Sequence, residues 1–272
     1  FDTPGARDLL EQAKAKDPTH ALTHAALARA WTLLGYDRRA EDEAKQAMDL
    51  AASLSREDRL SIEGQYHEAA RQWDKAIEIF RTLFNFFPDN LEYGLRLASV
   101  QESGGKGQDA FKTLDALRKL PAPSGTDPRI DVQEAVTARY QSESQRGVDA
   151  AARAAKAALA TGAKYMLARA RFEEGSNLQN LGRMDGAVAA LSEAERLFRE
   201  VGDRRGVASA LNNRGLVLLG RGDLDGTEKL LTEALAAYRE IGFRSGEALI
   251  VGNLGNIEYL RGNATGARRR WE

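Results

Sequence analysis

The chain contains no cysteine, and it has only six prolines and three histidines among 272 residues. The lack of cysteine excludes disulfide bonds, thiolate catalysis and cysteine-ligated metals, and it fits a reducing compartment. No apolar run approaches the ~20 residues that a membrane-spanning helix needs, so we expect a cytoplasmic protein with no membrane contact. The scarcity of histidine leaves few metal ligands. His20 and His24 are four residues apart without a third ligand, so we interpret them as a surface pair.

Neither sign of charge is in excess, because the formal net charge is only −1. The chain lacks the excess of lysine and arginine that is typical of nucleic-acid-binding proteins, so we predict no nucleic-acid partner. No nucleophile, base and orienting group stand at a catalytic spacing, and no protein-kinase motif is present. The sequence therefore predicts no enzyme, no metal and no cofactor.

What the chain does contain is a repeat. The segments 213–216 and 253–256 share an Asn-x-Gly-x pattern 40 residues apart, and Gly175 precedes Gly215 by the same interval. Each of these glycines is followed seven residues later by another glycine. A period of this length is typical of stacked helix pairs, in which each pair buries its exposed flank against the next.

Small residues recur where the two helices of a pair would cross. Two antiparallel helices approach closely only where side chains are small. On the first helices the small residues are Gly64, Ala98, Gly175, Gly215 and Gly255, and on the second helices they are Ala40, Ala76, Ala110, Ala187 and Ala267. We therefore predict an all-α fold, a right-handed superhelical solenoid of antiparallel helix pairs. It should hold about six pairs, with partial pairs at both ends.

The rhythm of the repeat divides the chain into four segments. Residues 1–120 form an array of 34–36-residue repeats whose first repeat lacks its first helix, and 121–128 form a proline-rich connector. Residues 129–162 form a degenerate repeat, and 163–272 form an array of 40-residue repeats that stops inside its last helix. The second helix of the degenerate repeat, 148–160, is nearly all alanine, so we expect thin packing there. Because both ends interrupt a helix pair, we expect a fragment of a longer protein.

Taken together, these positions resemble the tetratricopeptide repeat over essentially the whole chain. The set comprises a small residue on the first helix, an aromatic or leucine three residues later, glycine at the turn, then alanine, a bulky residue, alanine and proline. The C-terminal copies, through 253–256, are similar to the longer repeats of Leu-Gly-Asn-type scaffolds and kinesin light chains. The N-terminal half, through 83–97, resembles repeat arrays attached to bacterial eukaryote-like serine/threonine kinases.

The resemblance implies a binding groove lined by the first helices. Asn213 and Asn253 fall two residues before the small glycine, and Asn256 falls one after it. Asn212 and Gln179 are weaker candidates. An asparagine amide both donates and accepts, so it can hold the backbone of a peptide without reading its sequence. The alternative is that these amides only tie neighbouring helices together.

Three arginines lie in the turns between repeats, namely Arg204, Arg205 and Arg244. Their guanidinium groups are candidates for binding carboxylates on a partner. The alternative is a solvated rim without a binding role.

These observations favour a non-catalytic scaffold that binds a peptide or helical segment of a protein partner in the groove. The alternative is a sensor or regulatory arm of a larger bacterial signalling protein. Its serine/threonine kinase, transcription-regulator or DNA-binding domain would then lie outside this chain. Self-association through the interrupted ends stays open.

Overall fold

The computed structural model describes residues 3–271 of the chain, with side chains from residue 5 onward. Within that range all regular structure is helical, with fifteen α-helices, two short 3₁₀ helices and no strand. Consecutive helices pack against one another in pairs joined by tight turns. The prediction of an all-α array of helix pairs is confirmed. No helix in the described range is long and apolar enough to cross a bilayer.

The chain forms two compact units, described here separately. The N-terminal unit runs to Arg153, and the C-terminal unit begins at Ala154. The helices that begin in the N-terminal unit are α1 (Thr3–Lys16), α2 (Ala21–Leu34), α3 (Asp37–Leu50), α4 (Arg56–Ala69), α5 (Trp73–Phe86), α6 (Leu91–Ser103), α7 (Gly107–Leu117), α8 (Pro128–Tyr140) and α9 (Ser144–Thr161), with 3₁₀ helices at Ala51–Ser53 and Ser124–Thr126. Those of the C-terminal unit are α10 (Lys164–Asn180), α11 (Met184–Glu200), α12 (Arg204–Gly220), α13 (Leu224–Glu240), α14 (Arg244–Leu260) and α15 (Ala264–Trp271).

The small residues sit at the crossing points, as the repeat predicted. A Cβ added at Gly64 would lie 2.9 Å from the Phe80 ring, and one at Gly175 would lie 2.6 Å from Leu191 Cγ. In both cases the neighbour lies on the second helix, 16 residues later in the chain. The second helix can therefore approach only because the first helix carries no side chain at that point.

Left-handed backbone conformations end the first helix of most pairs. Gly182 and Gly222 have φ angles of 72° and 80°. Where glycine is missing, Arg71 and Ser142 take the same conformation, with φ angles of 55° and 59°. The turn geometry is thus retained in the repeats whose sequence departs from the pattern, at a steric cost that glycine would avoid.

The degenerate repeat is held by ion pairs as well as by alanines. Ala135, Ala150 and Ala151 form a small buried cluster between α8 and α9. Beside it, the buried Glu134 carboxylate accepts hydrogen bonds from Arg146 Nε at 2.6 Å and from Arg153 Nη2 at 2.6 Å. Charge pairing therefore supplements the thin apolar contact that the alanine-rich sequence predicts.

Helix α9 begins four residues earlier than the alanine run suggested, at Ser144 rather than Val148. The earlier start is explained by contacts of the first turn with other helices. Besides pairing with Glu134, the Arg146 guanidinium lies 3.6 Å from the centroid of the Phe111 ring. These contacts fix the first turn of the helix, which alanine content alone does not reveal.

In the C-terminal unit, a cation in the turn of one pair reaches a carboxylate of the preceding pair. Arg221 Nη2 lies 2.6 Å from Asp185 Oδ1. Forty residues later, Arg261 pairs with Asp225 in the same way. The carboxylates are fully exposed, so these pairs contribute little to stability, although they recur at the same position in successive repeats.

Candidate functional site: the first-helix face of the C-terminal unit

The predicted groove residues lie on the first helices α10, α12 and α14. We call the surface that these helices form the C-terminal first-helix face. Asn212 is buried, Asn213 and Asn253 are half-buried, and Asn256 is exposed. Gln179, near the end of α10, is half-buried. The repeat thus places the five predicted amides on one set of helices at graded depth.

Three of these asparagines form a continuous row of side-chain hydrogen bonds. Asn253 Nδ2 donates to Asn212 Oδ1 at 2.9 Å, and Asn212 Nδ2 donates to Asn213 Oδ1 at 3.1 Å. Asn213 Nδ2 then donates to Ser176 Oγ at 3.0 Å, and Ser176 Oγ donates to the Phe172 carbonyl at 2.8 Å. We call this the amide row. It links α14 to α12 and α12 to α10, so the interpretation of the asparagines as ties between helices has direct geometric support.

The amide row does not include every predicted asparagine. Asn256 makes no side-chain hydrogen bond to any part of the chain that the structure describes, and its side chain faces solvent. Asn253 donates into the row through Nδ2 only, which leaves its carbonyl oxygen as an acceptor at the edge of the row. Asn253 and Asn256 are therefore the amides best placed to meet a ligand.

The three turn arginines are held in different ways. Arg204 is exposed and lies 3.5 Å from Glu240, a loose surface pair. Arg205 stacks on the Phe243 ring, with 4.5 Å between the guanidinium carbon and the ring centroid. Arg244 is exposed on the first turn of α14. Only Arg205 is fixed by packing, so it supports Phe243 rather than standing ready for a partner.

Sequence reasoning missed the apolar part of this face. On α14, Leu260 is more than half exposed, whereas the Tyr259 ring lies 6.1 Å from the Trp271 ring of α15. An exposed leucine on a helix that also carries asparagines favours a partly apolar ligand. This exposed residue could have been found from the sequence. Aligning the repeats on their small glycines also aligns the ends of the first helices, and this shows which positions there are exposed in every repeat.

Asp203 is a titratable group whose pKa is shifted by burial in this unit. Its carboxylate caps α12 by accepting from Gly206 N at 2.9 Å. Burial raises the pKa of Asp203 above its ordinary value, although the Gly206 hydrogen bond and the nearby Arg169 and Arg205 act in the opposite direction. Burial similarly raises the pKa of Tyr238, whose hydroxyl lies 2.9 Å from Ser209 Oγ.

The histidine interpretation was wrong in one respect, because His24 is buried rather than at the surface. Its Nδ1 lies 2.6 Å from Glu43 Oε2 and its Nε2 lies 2.9 Å from the Pro18 carbonyl oxygen. Lys14 Nζ donates to the other oxygen of Glu43 at 2.5 Å. His24 therefore joins α1, α2 and α3 as part of the packing, while His20 caps α2.

The comparisons with known proteins concern the fold. Residues 166–240 match the tetratricopeptide repeat family. No curated protein sequence matches the chain. Residues 166–240 thus match tetratricopeptide repeats, and the described residues on either side form further helix pairs.

Several solved structures share the fold at low sequence identity. A Rap protein complexed with competence and sporulation factor aligns with a TM-score of 0.60 and 13% identity, over 92% of this chain and 74% of that one. BtubC (BKLC) from P. vanneervenii aligns with a TM-score of 0.56 and 18% identity, over 74% and 85%. A putative kinesin light chain from Podosopora anserina aligns with a TM-score of 0.52 and 15% identity, over 67% and 92%. At these identities the likeness concerns the fold alone.

Proposed function

We propose that the protein is a non-catalytic interaction scaffold whose C-terminal first-helix face binds an extended segment of a partner protein. The observation that carries the proposal is the amide row, which ends in the unused Asn253 carbonyl oxygen and lies beside the exposed Asn256. The Asn253 carbonyl oxygen and the Asn256 amide, held on the rigid helix α14, supply a prearranged acceptor and a donor for a peptide backbone.

The spacing of the helices favours an extended peptide over a helical one. Neighbouring packed helices lie about 8–10 Å apart, and an extended chain advances about 3.3 Å per residue. A peptide crossing the helices would therefore present an equivalent backbone group to each helix about every third residue. Asn213 on α12 and Asn253 on α14 occupy equivalent positions one repeat apart, whereas α10 carries Glu173 at that position.

The exposed side chain of Leu260 gives the proposed partner a second property. Leu260 lies on the same helix as Asn253 and Asn256 and is more than half exposed. Backbone hydrogen bonds alone give little specificity, whereas apolar side chains in shallow pockets contribute most of the affinity in such surfaces. We therefore expect the bound segment to carry aliphatic or aromatic side chains between its backbone contacts.

The comparisons support this kind of role through the fold. The Rap protein in the aligned structure is bound to competence and sporulation factor, so one protein of this fold is known to hold a ligand. The proposed partner of the present chain rests on its own asparagines and Leu260 rather than on that likeness.

The test is a selection of displayed peptides of about 12 residues, long enough to cross three helices when extended. Binding of a recovered peptide is then measured by fluorescence anisotropy for the wild type and for Asn256→Ala and Asn253→Ala. Each variant is expected to bind roughly threefold to tenfold more weakly, the loss of one hydrogen bond.

The matched control is Asn85→Ala, which makes the same change at an exposed position on the second helix α5. It should bind like the wild type. Recovered peptides that bind both α14 variants as tightly as the wild type would refute the proposal, and so would a library that yields no binder.

A further inference from the structure

The two histidines at the start of α2 use their ring nitrogens in opposite ways. His20 caps the helix, and His24 follows one turn later with only 3% of its surface exposed. Histidine is the side chain that gains or loses a proton between about pH 5 and pH 8. The contacts of these two rings therefore depend on pH close to neutrality.

His24 faces an acceptor with each ring nitrogen. Its Nδ1 lies 2.6 Å from Glu43 Oε2 on α3, and its Nε2 lies 2.9 Å from the Pro18 carbonyl oxygen in the turn between α1 and α2. A carbonyl oxygen accepts only, and so does an ionised carboxylate. Lys14 on α1 keeps Glu43 ionised, and the hydrogen bond to Glu43 raises the pKa of Lys14 above its ordinary value. Two acceptors require two ring protons, so the geometry at His24 is that of the charged imidazolium.

His20 has the opposite requirement. The Thr23 backbone N–H donates to His20 Nδ1 at 3.3 Å, and Thr23 Oγ1 lies 2.8 Å from the same nitrogen. A backbone N–H only donates, so His20 Nδ1 must present its lone pair. A proton on that nitrogen would face the Thr23 N–H and remove the cap. The cap at His20 is therefore a contact of the neutral ring.

Few other charges act on this pair of rings. Among the described residues, Glu43 is the one carboxylate within ion-pair distance of either ring. Helix α4 also packs against α2, but in the described part of the chain it brings no ion-pair partner to them. Asp17, in the turn, accepts from the Thr19 backbone N–H at 3.0 Å and from its hydroxyl at 2.8 Å, and its charge also reaches His20.

Opposing forces act on the charge of His24. Burial of the ring and the Lys14 ammonium disfavour the imidazolium, whereas the carboxylate at 2.6 Å and the carbonyl oxygen at 2.9 Å favour it. Loss of the proton would leave one ring nitrogen with a lone pair against an oxygen, where an unpaired polar group is costly. Releasing the proton therefore costs one of the two hydrogen bonds that hold the ring.

We propose that His20 and His24 form a proton-operated switch that sets how α2 is held by its neighbours. At mildly acidic pH, while Glu43 stays ionised, the His24 imidazolium ties α2 to α3 and to the α1–α2 turn, and the cap at His20 is lost. As the pH rises, His24 gives up a proton and one of these hydrogen bonds, and the neutral His20 restores the cap. The His24 hydrogen bonds join separate elements, whereas the cap is local to α2.

The switch therefore docks the α1–α2 turn more firmly at about pH 6 than at about pH 8. It concerns the N-terminal unit and does not depend on the proposed binding of a peptide by the C-terminal unit.

The protonation states can be measured directly because the chain contains only three histidines. Nitrogen-15 labelling of histidine gives ring signals whose shifts distinguish the imidazolium from each neutral tautomer. On raising the pH, His24 should still carry protons on both nitrogens when His20 has already become neutral. The variants His20→Asn and His24→Gln assign the signals, and asparagine retains a helix cap. A His24 ring that becomes neutral together with His20, or before it, would overturn the proposal.

A second measurement is hydrogen exchange of the turn, residues 17–20, at about pH 6 and about pH 8, corrected for the intrinsic exchange rates. In the wild type, protection of the turn should fall roughly tenfold more than protection of α5, the loss of one charge-assisted hydrogen bond. His24→Gln cannot take up a proton, so its turn should show no such pH dependence. Glu43→Gln removes the charge that holds the ring proton and should act likewise, which keeps the test decisive if His24→Gln does not fold.

The matched control is His67→Gln, at the remaining histidine. His67 Nδ1 lies 2.8 Å from Gln72 Oε1, a contact that a neutral ring makes with a single proton. The turn should keep its pH dependence in this variant. Equal pH dependence in the wild type and in His24→Gln would overturn the proposal, and so would its loss in His67→Gln.

Discussion

Asn253 Nδ2 donates to Asn212 Oδ1 over 2.9 Å, although a complete second helix separates the two residues in the chain. The contact joins neighbouring first helices directly, side chain to side chain. Asn212 is only 5% exposed, so the hydrogen bond lies in a region where an unpaired polar group is costly. The amide row therefore stabilises the packing of the first helices as well as forming part of their exposed surface.

This relationship predicts different outcomes for two asparagines. Asn212→Ala removes one acceptor and one donor from the row and leaves the amides of Asn213 and Asn253 without their partner. We expect a loss of about 1–3 kcal/mol in the free energy of unfolding. Asn256→Ala should change stability by less than about 0.5 kcal/mol, because its side chain faces solvent. Urea unfolding followed by circular dichroism would measure both, and equal losses would contradict the stabilising role of the amide row.

Two of the three glycines of the 40-residue register, Gly175 and Gly215, should also differ in their tolerance of a side chain. A Cβ at Gly175 would lie 2.6 Å from Leu191 Cγ and 3.1 Å from the Ala187 carbonyl oxygen. At Gly215 the nearest atom, Leu231 Cδ2, would lie 3.3 Å away. Gly175→Ala should therefore destabilise by about 1–3 kcal/mol through overpacking.

Gly215→Ala is the matched variant for that comparison. It should be close to neutral, because a gain in helix propensity of about 1 kcal/mol offsets the small shift of the Leu231 side chain. The urea unfolding midpoints of the two variants, measured under the same conditions as the wild type, would show the difference in stability. A Gly215 variant that loses as much as the Gly175 variant would show that the crossing distances are not as described.

Asp203 gives a pH-dependent prediction. Its pKa is raised in the folded state by burial, so the folded state binds the proton more tightly than the unfolded state does. The ionised carboxylate therefore costs stability above the raised pKa, and the cost disappears as the pH falls through that pKa. Asp203→Asn should stabilise the protein at neutral pH, since asparagine also caps helices well.

The stabilisation by Asp203→Asn should shrink on acidification, when the wild-type carboxyl becomes neutral. Thermal unfolding of both proteins at neutral pH and at successively lower pH would record the difference in Tm. A difference that grows toward low pH has the opposite sign and would show that the Arg169 and Arg205 charges outweigh burial.

The turn of the degenerate repeat offers a stabilising change. Ser142 is exposed and has a φ angle of 59°, a conformation that a Cβ disfavours. Ser142→Gly should raise the free energy of unfolding by about 1 kcal/mol, less the entropy that glycine gains in the unfolded state. Thermal melting with Ser124→Gly as a control outside the left-handed region would test it, and equal effects of the two changes would contradict the explanation.

Much of the architecture could be predicted because it depends on local spacing. The interval between Gly175 and Gly215, and the positions of the turn glycines, follow from one helix crossing another once per repeat. These features occur at fixed intervals in the sequence, so they can be predicted without knowing which residues of other repeats lie nearby.

The site was harder to predict because it depends on contacts between repeats. Register alone pairs Asn253 with Asn213, whereas the hydrogen bond joins Asn253 to Asn212. One residue turns a helical side chain by about 100°, and the offset between neighbouring helices decides which of two adjacent asparagines faces inward. His24 was placed at the surface for the same reason, since its partner Glu43 lies on another helix.

The pairing of Arg221 with Asp185 and of Arg261 with Asp225 has a consequence for how the C-terminal unit could be lengthened. The segment 203–242 carries the cation that reaches backward and the carboxylate that receives the next one, together with Asn212 and Asn213. If this 40-residue segment were duplicated in tandem, the second copy would place its equivalent of Arg221 beside Asp225 of the first copy. We therefore expect the unit to accept insertions of whole 40-residue segments and to be destabilised by insertions of other lengths.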